Sequence, residues 1–487
     1  MKLGLPALSV LGVLALGACT DAPTTLAPAD APSRSAASSR EAGSYLVRFR
    51  GNSIPTGFAA RVAALGGEVI FAHAGAGVAA VAGLTDASAD QIAALGGVAA
   101  VDADAYTELE PLVDGALEAN AAEPASPDNP TTAVRFPRQW NMQTIGAPAA
   151  WAAGFLGVPS VKVGILDTGI DYLHPDLVGR VDLSLSRSFL SAAENARVQA
   201  AFPGAHPVAD LHYHGTHVAA TVASNAYINA GVTSKVTLVG LKVCAPGTAP
   251  SFGGSCPTSG TLAAILYAAD NGLHVINMSL GGQFNRRDAS ARGGDGPSFL
   301  ATINNVINYA NRKGTTVVVS AGNARADLDH DKNGYKSYCS APNVVCVSAT
   351  GPTGQTTVNG PWQNIDALAS YSNFGRSAIS VAAPGGNAVS VGAACSGFTI
   401  VTPFLVCRQR FFNSPTSWSG FTLGISGTSM AAPHVAGVAA LVAGQVGNNP
   451  AQIRARLQQS ADDLGQSGVD PAYGHGRLNA ARAVGAL

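Results

Sequence analysis

This sequence has little charge and fewer aromatics: Asp, Glu, Lys and Arg together make up 12% of its 487 residues, aromatics 6%, and Met and Trp supply four residues each. An unfolded polypeptide of low hydrophobicity and high net charge is excluded, because 47% of the chain is apolar and no long acidic or basic run interrupts it. With 29 Lys and Arg against 30 Asp and Glu the net charge is -1, which gives no positive field to hold nucleic acid or an anionic membrane. What is abundant is glycine (56) and proline (28), the residues of tight turns and close backbone approach. At this length two or more folded units are expected, and the composition suits a loop-rich α/β enzyme.

The N-terminus reads as an address. Lys2 precedes the apolar stretch Leu3 to Leu16, which is shorter than the roughly 20 residues of a spanning helix. Residues 1–18 are therefore expected to be a signal peptide for export from a bacterial cell. Leu16-Gly17-Ala18-Cys19 resembles a bacterial lipobox, in which Cys19 is lipidated and becomes the first mature residue; ordinary cleavage at the small residues is the alternative. Setting Cys19 aside leaves six cysteines, expected to pair as sequence neighbours in an exported protein: Cys244 with Cys256, Cys339 with Cys346 and Cys395 with Cys407. Residues 19–40, rich in Ala, Pro, Ser and Thr, read as a flexible tether.

Residues 41–110 carry an internal repeat. Strand-like Tyr45 to Arg50, helical Phe58 to Leu65 and strand-like Glu68 to Phe71 are followed by strand-like Val78 to Ala82, helical Ala87 to Leu95 and strand-like Val98 to Val101. This β-α-β-β-α-β order predicts a small ferredoxin-like α+β domain. Both helices end in Ala-Ala-Leu-Gly-Gly, at residues 63–67 and 93–97, where a glycine can take a left-handed cap. Residues 111–137 read as an exposed linker with a cleavage site.

Residues 138–487 alternate apolar runs with helical stretches, the pattern of a mostly parallel sheet flanked by helices. Val161 to Leu166, Val236 to Val243, Val275 to Met278 and Thr315 to Ser320 are the clearest strands. Ligands in such folds sit beyond the carboxyl ends of the strands. Three motifs lie there or open a helix: Asp167-Thr168-Gly169-Ile170-Asp171, His212-Tyr213-His214-Gly215-Thr216-His217-Val218-Ala219, and Gly427 to Gly437 with Ser429 at the start of a helix reaching about Gln445. Pro433 is expected in the first turn of that helix, whose N–H groups have no intrahelical use. A single Asp-Thr-Gly cannot form the carboxylate pair of an aspartic protease. His214 and His217 lack the His-Glu-x-x-His pattern of a catalytic zinc site. Ser429 has no second glycine of a nucleophile elbow, and the chain order Asp, His, Ser differs from the Ser, Asp, His order of α/β-hydrolases. A serine nucleophile needs a neutral imidazole to take its proton and a carboxylate to orient that imidazole, and Asp167, His214 and Ser429 supply one of each.

These motifs, in this order, resemble those of the subtilisin-like serine proteases (subtilases, peptidase family S8), over about residues 138 to 485, and residues 44 to 110 resemble the family's inhibitor-type propeptide. The resemblance implies Asp167 as orienting acid, His214 as general base and Ser429 as nucleophile. It implies Asn323, in Ala321-Gly322-Asn323, as oxyanion donor, and Ser279, Leu280 and Gly281 as the strand that binds the substrate backbone as an added strand. A self-processing secreted endopeptidase follows, a monomer acting on proteins or peptides, inhibited by its own propeptide, touching a membrane only through the Cys19 anchor. The alternative is a non-catalytic subtilase-fold surface protein that binds peptides.

No cofactor is needed for such chemistry; the sequence leaves open a structural calcium, with a plain solvated turn as the alternative. Asp329-His330-Asp331-Lys332-Asn333-Gly334 fits the start of a calcium loop, with Asp329, Asp331 and Asn333 as ligands, Asp327 as a further oxygen, and Ser340 where the glutamate of a complete loop would stand. The resemblance also offers Asp176 as a ligand position, whereas Ser380 stands where a second family site has Asp. The stretch from Gly386 to Leu423 is longer than a compact family member needs.

Overall fold

The computed structural model describes residues 40–109, 115–119, 126–246, 254–285, 296–330, 334–336, 338–356, 360–387, 404–405 and 421–487. Cys19, Asp331, Asn333, Cys395 and Cys407 lie outside them.

In the small domain β1 (Arg40–Phe49), β2 (Glu68–His73), β3 (Val78–Ala82) and β4 (Val98–Glu108) form an antiparallel sheet, with helices Phe58–Ala64 and Asp86–Ala93 between them. The expected β-α-β-β-α-β order is present. The repeated Ala-Ala-Leu-Gly-Gly segments reverse differently, however: the left-handed residue is Gly66 (φ +85°) in the first and Gly97 (φ +89°) in the second. Strand periodicity decides what each face buries. Tyr45, Val47 and Phe49 of β1 pack with Phe58, Val62 and Ile92 of the domain's own helices. Leu46, Val78, Ala80 and Ala105 point the other way, into a core shared with Leu262, Ile265 and Leu266 of the helix Thr258–Asp270 and Ile303, Val306 and Ile307 of the helix Pro297–Arg312. The small sheet is thus buried on both faces only while it sits on the large domain.

Strand β4, expected over Val98 to Val101, continues to Glu108, and its extra length joins the two domains. It pairs antiparallel with β10 (Gly254–Pro257), which pairs in turn with β9 (Ala245–Pro246), so one six-stranded sheet crosses the boundary. The disulfide Cys244–Cys256 staples this hairpin across 12 residues; closing such a loop limits the unfolded chain and contributes about 3 kcal/mol. The second expected disulfide, Cys339–Cys346, is also formed.

The segment expected to be only a linker contains a strand. β5 (Gly115–Ala119) pairs antiparallel with β20 (Phe421–Ile425), which also pairs with β19 (Phe404–Leu405). The seven-stranded sheet of the large domain is parallel throughout: β18 (Val381–Pro384), β15 (Val345–Thr350), β13 (Thr316–Ser320), β11 (Val275–Met278), β6 (Lys162–Asp167), β8 (Thr237–Lys242) and β7 (Arg187–Ser188), in that spatial order. β12 (Gln283–Asn285) and β14 (Gly334–Lys336), far apart in the chain, form a separate two-stranded antiparallel sheet. The helix Thr428–Val446 is apolar and long enough to cross a membrane, yet it is a core helix, buried among Val218, Val222, Val275, Val318 and Val347.

Candidate active site

Asp167 ends β6, between β8 and β11, and is fully buried. Its Oδ1 accepts the Thr168 N–H (2.7 Å) and faces His214 Nδ1 at 2.8 Å, with Oδ2 at 3.0 Å from the same nitrogen. A carboxylate partner fixes the proton on Nδ1 and leaves the Nε2 lone pair to act as a base. His214 opens the helix His214–Val222, and the motif's glycine is a steric requirement. A Cβ on Gly215 would collide with the Gly169 carbonyl, while Thr168 Oγ1 accepts the Gly215 N–H at 2.9 Å. The strand end that carries Asp167 and the helix that opens with His214 are locked together by their own sequence motifs. His217 lies one turn on, buried in the same helix.

Ser429 is the second residue of the helix Thr428–Val446, which packs against the His214 helix. Its hydroxyl donates to the Ser279 carbonyl at 3.2 Å and would have to rotate away from it before giving a proton to an imidazole. Pro433 lies past the first turn of this helix and not within it, which corrects the expectation that its missing N–H costs nothing. The carbonyl that loses its partner is that of Ser429, four residues back. Ser279 Oγ fills the vacancy, donating to the Ser429 carbonyl at 2.7 Å while accepting from Asn277 Nδ2 at 2.9 Å. The segment expected to bind substrate therefore also braces Ser429. One turn on, His434 donates from Nδ1 to the Met430 carbonyl (2.7 Å) and accepts from Asn141 Nδ2 (2.8 Å); burial pushes its pKa down to about 4.

Asn323 lies three residues beyond β13. Its Oδ1 accepts both the Thr428 N–H (2.9 Å) and the Thr428 hydroxyl (2.8 Å), and Thr428 Oγ1 accepts the Gly322 N–H (2.9 Å). With the carbonyl end tied down, the amide nitrogen faces the turn before Ser429, where a Cβ on Gly427 would lie 3.5 Å from it. Fixed N–H donors of this kind stabilise negative charge that develops on a carbonyl oxygen. Thr428 is the orienting residue that the sequence motif contains but does not explain.

Of the expected substrate-binding residues, Ser279 and Leu280 are buried and the Gly281 carbonyl accepts from Lys336 Nζ at 3.4 Å. The opposite edge, Gly254–Pro257, was not foreseen. Here the Leu109 N–H bonds to the Gly254 carbonyl at 2.7 Å, and Thr107 reaches across so that a Cβ on Gly282 would lie 3.0 Å from its methyl. The glycines at 253 and 254 were the available signal, masked by the disulfide reading of Cys256.

The acidic segments find partners of their own. Asp329 accepts the N–H groups of Arg376 (2.6 Å) and Ser377 (2.9 Å), and Asp327 faces His330 at 2.9 Å. Asp176 is fully buried with its oxygens on the N–H groups of Tyr227, Ile228 and Asn229, and burial pushes its pKa up to about 6 against those bonds. It anchors that loop. Ser380 Oγ accepts the Cys346 N–H at 3.2 Å.

Comparison with known proteins agrees with this geometry. The Subtilase family profile (Peptidase S8) matches residues 159–476. The chain is 31% identical over 331 residues to the thermophilic serine proteinase of Bacillus sp. (strain AK1), spanning 67% of this chain and 62% of that protein's length. It is 32% identical over 352 residues to thermitase of Thermoactinomyces vulgaris, covering 71% of this chain and 96% of thermitase. The crystal structure of the epidermin leader peptide processing serine protease from Staphylococcus aureus shares the fold, with a TM-score of 0.66 at 22% identity over 91% of this chain and 98% of that one. The chain belongs to the subtilase family of serine endopeptidases.

Proposed function

We propose that this chain is the self-processing zymogen of an exported serine endopeptidase, with Asp167, His214 and Ser429 as its triad and residues 41–110 as its inhibitory propeptide. The observation that carries the reading is β4: the last strand of the small domain lies on β10, in the manner of an extended peptide added to a sheet edge, and its C-terminal end approaches the segment that braces Ser429.

In the reaction, His214 Nε2 takes the Ser429 proton as Oγ adds to the peptide carbonyl. The new oxyanion receives the Ser429 N–H at the helix start and the Asn323 amide. Collapse breaks the C–N bond, the leaving amine takes the proton from His214, and an acyl group remains on Oγ. Water then repeats the sequence, releasing the acid and restoring Ser429. Asp167 holds the imidazole and stabilises its cationic form.

The same contacts suggest why the small domain is made first. Asp104 Oδ1 accepts the Ser259 N–H (3.0 Å) at the start of the helix Thr258–Asp270, and Thr258 Oγ1 donates to the Ala105 carbonyl (2.7 Å). Asp102 faces Ser298 at the start of the helix Pro297–Arg312, its carboxyl raised by burial despite Ser298 and the Arg48 charge. The propeptide thus caps one helix of the domain it inhibits and places a carboxyl beside the start of a second. Export with lipid attachment at Cys19 completes the proposal. A calcium ion held by Asp329 with Asp331 and Asn333 would be structural, since each Asp329 oxygen keeps a second lone pair beside the N–H it already accepts.

A fluorophosphonate probe tests the reading against the peptide-binding alternative. The processed protein should be labelled at Ser429 at a rate that Asp167→Asn lowers by orders of magnitude. A folded protein that stays unlabelled would make it a binding scaffold.

A further inference from the structure

Between the two walls that meet at Ser429 sits a buried amine. Lys336 ends β14 and is 4% exposed. Its Nζ lies 3.4 Å from the Gly281 carbonyl, two residues beyond the Ser279 that exchanges hydrogen bonds with Ser429. On the other wall, its chain end presses against Gly322, the residue before Asn323: a Cβ there would collide with Nζ and lie 2.6 Å from Cε. Gly322 has φ +99° and no side chain, and both properties let the lysine run through to this place. The ammonium is therefore next to both segments that would hold the residue whose carbonyl is attacked.

We propose that Lys336 sets the specificity of the site, selecting substrates with an acidic side chain, Glu above all, on the residue that contributes the scissile carbonyl. This rests on the endopeptidase reading above. A carboxylate that reaches a desolvated ammonium gains a charge-assisted hydrogen bond, whereas an isosteric amide gains a weaker one and a cationic side chain is repelled. An independent feature points the same way. The chain's own acyl-side strand is bonded to β10 as far as Leu109, and the next residue in the sequence is Glu110.

The test uses the processed enzyme and a set of quenched fluorescent peptides identical except for Glu, Gln, Asp, Phe or Lys at the acyl residue. Glu should exceed Gln in kcat/KM by about ten- to hundredfold, and the ratio should grow as ionic strength falls. Lys336→Met should bring the Glu/Gln ratio toward unity, and Lys336→Arg should keep it above unity, a rescue that packing alone would not give. A wild-type ratio at or below unity, or a ratio that survives in Lys336→Met, overturns the inference. Labelling of Ser429 by the fluorophosphonate is read in the same samples: a labelled enzyme with no preference for Glu sinks this inference alone, and an unlabelled one sinks the endopeptidase reading beneath it.

Discussion

Two strands of the chain's own polypeptide lie across the region of Ser429, and they are held in different ways. β4 on β10 is fixed by side chains as well as backbone: Asp104 caps a helix, Thr107 reaches Gly282, and the disulfide Cys244–Cys256 stiffens the receiving edge. β5 pairs antiparallel with β20, from Phe421 opposite Ala119 to Ile425 opposite Gly115. The first joins the small domain to the large one through side chains as well as a ladder; the second is a ladder formed inside an apparent linker. The stretch between Leu109 and Gly115 joins the two pairings, and the site that would cut it should dominate the rate.

The largest effect is therefore expected at that site. Asn323→Ala should lower kcat by about a hundred- to thousandfold with little change in KM, measured on one peptide substrate; a loss confined to KM would move Asn323 out of the oxyanion site. Next comes the helix that β20 leads into. His434 has a folded pKa of about 4 against an ordinary 6.5, so it is neutral when folded and the unfolded chain binds the extra proton. Its contribution to stability is complete above pH 6.5 and is lost as the pH falls toward 4, by up to about 3 kcal/mol. Asp176, raised to about 6, contributes with the opposite sign over much of that window, so the comparison is with His434→Asn, in which the Asp176 part cancels. Denaturant unfolding across this window should show the wild type losing ground to the variant, and parallel curves would contradict the assignment.

How much of this was legible in the sequence depends on distance along the chain. Val78–Ala82 and Val275–Met278 were bounded to the residue, the first a continuous apolar run ending at a glycine, the second an apolar run broken only by Asn277. Asp167, His214 and Ser429 were visible because each sits inside a local motif. What stayed hidden are contacts between residues far apart: the Ser279 hydroxyl on the carbonyl that Pro433 orphans, 150 positions away in the chain, the β5–β20 pairing inside an apparent linker, and Lys336 beside Gly322. No periodicity encodes these. Pro433 was misplaced into the first turn because the helix begins at Thr428 and the motif alone does not count turns.

The difference between the two strands can be sharpened directly. In the uncut Ser429→Ala chain, Asp104→Ala should destabilise docking of the small domain by about 1 to 2 kcal/mol, the usual loss for a helix cap. Leu117→Pro on β5 should cost less, about one net backbone hydrogen bond. Protection of β4 and β5 amides from hydrogen exchange measures both, and equal losses would erase the distinction. The smallest effect concerns the loop at Asp329: chelation should lower Tm by a few degrees, reversed by added calcium, and an unchanged Tm would remove calcium from the account.

The central claim is that this chain cuts itself with Ser429. Intact mass and N-terminal sequencing of residues 20–487, wild type and Ser429→Ala, after the same incubation, test it most directly. The account predicts that the wild type divides between Leu109 and Gly115, between the strand paired with β10 and the strand paired with β20, while the variant remains one chain. Division of the variant at the same bond and rate, or a folded wild type that stays whole, would contradict it.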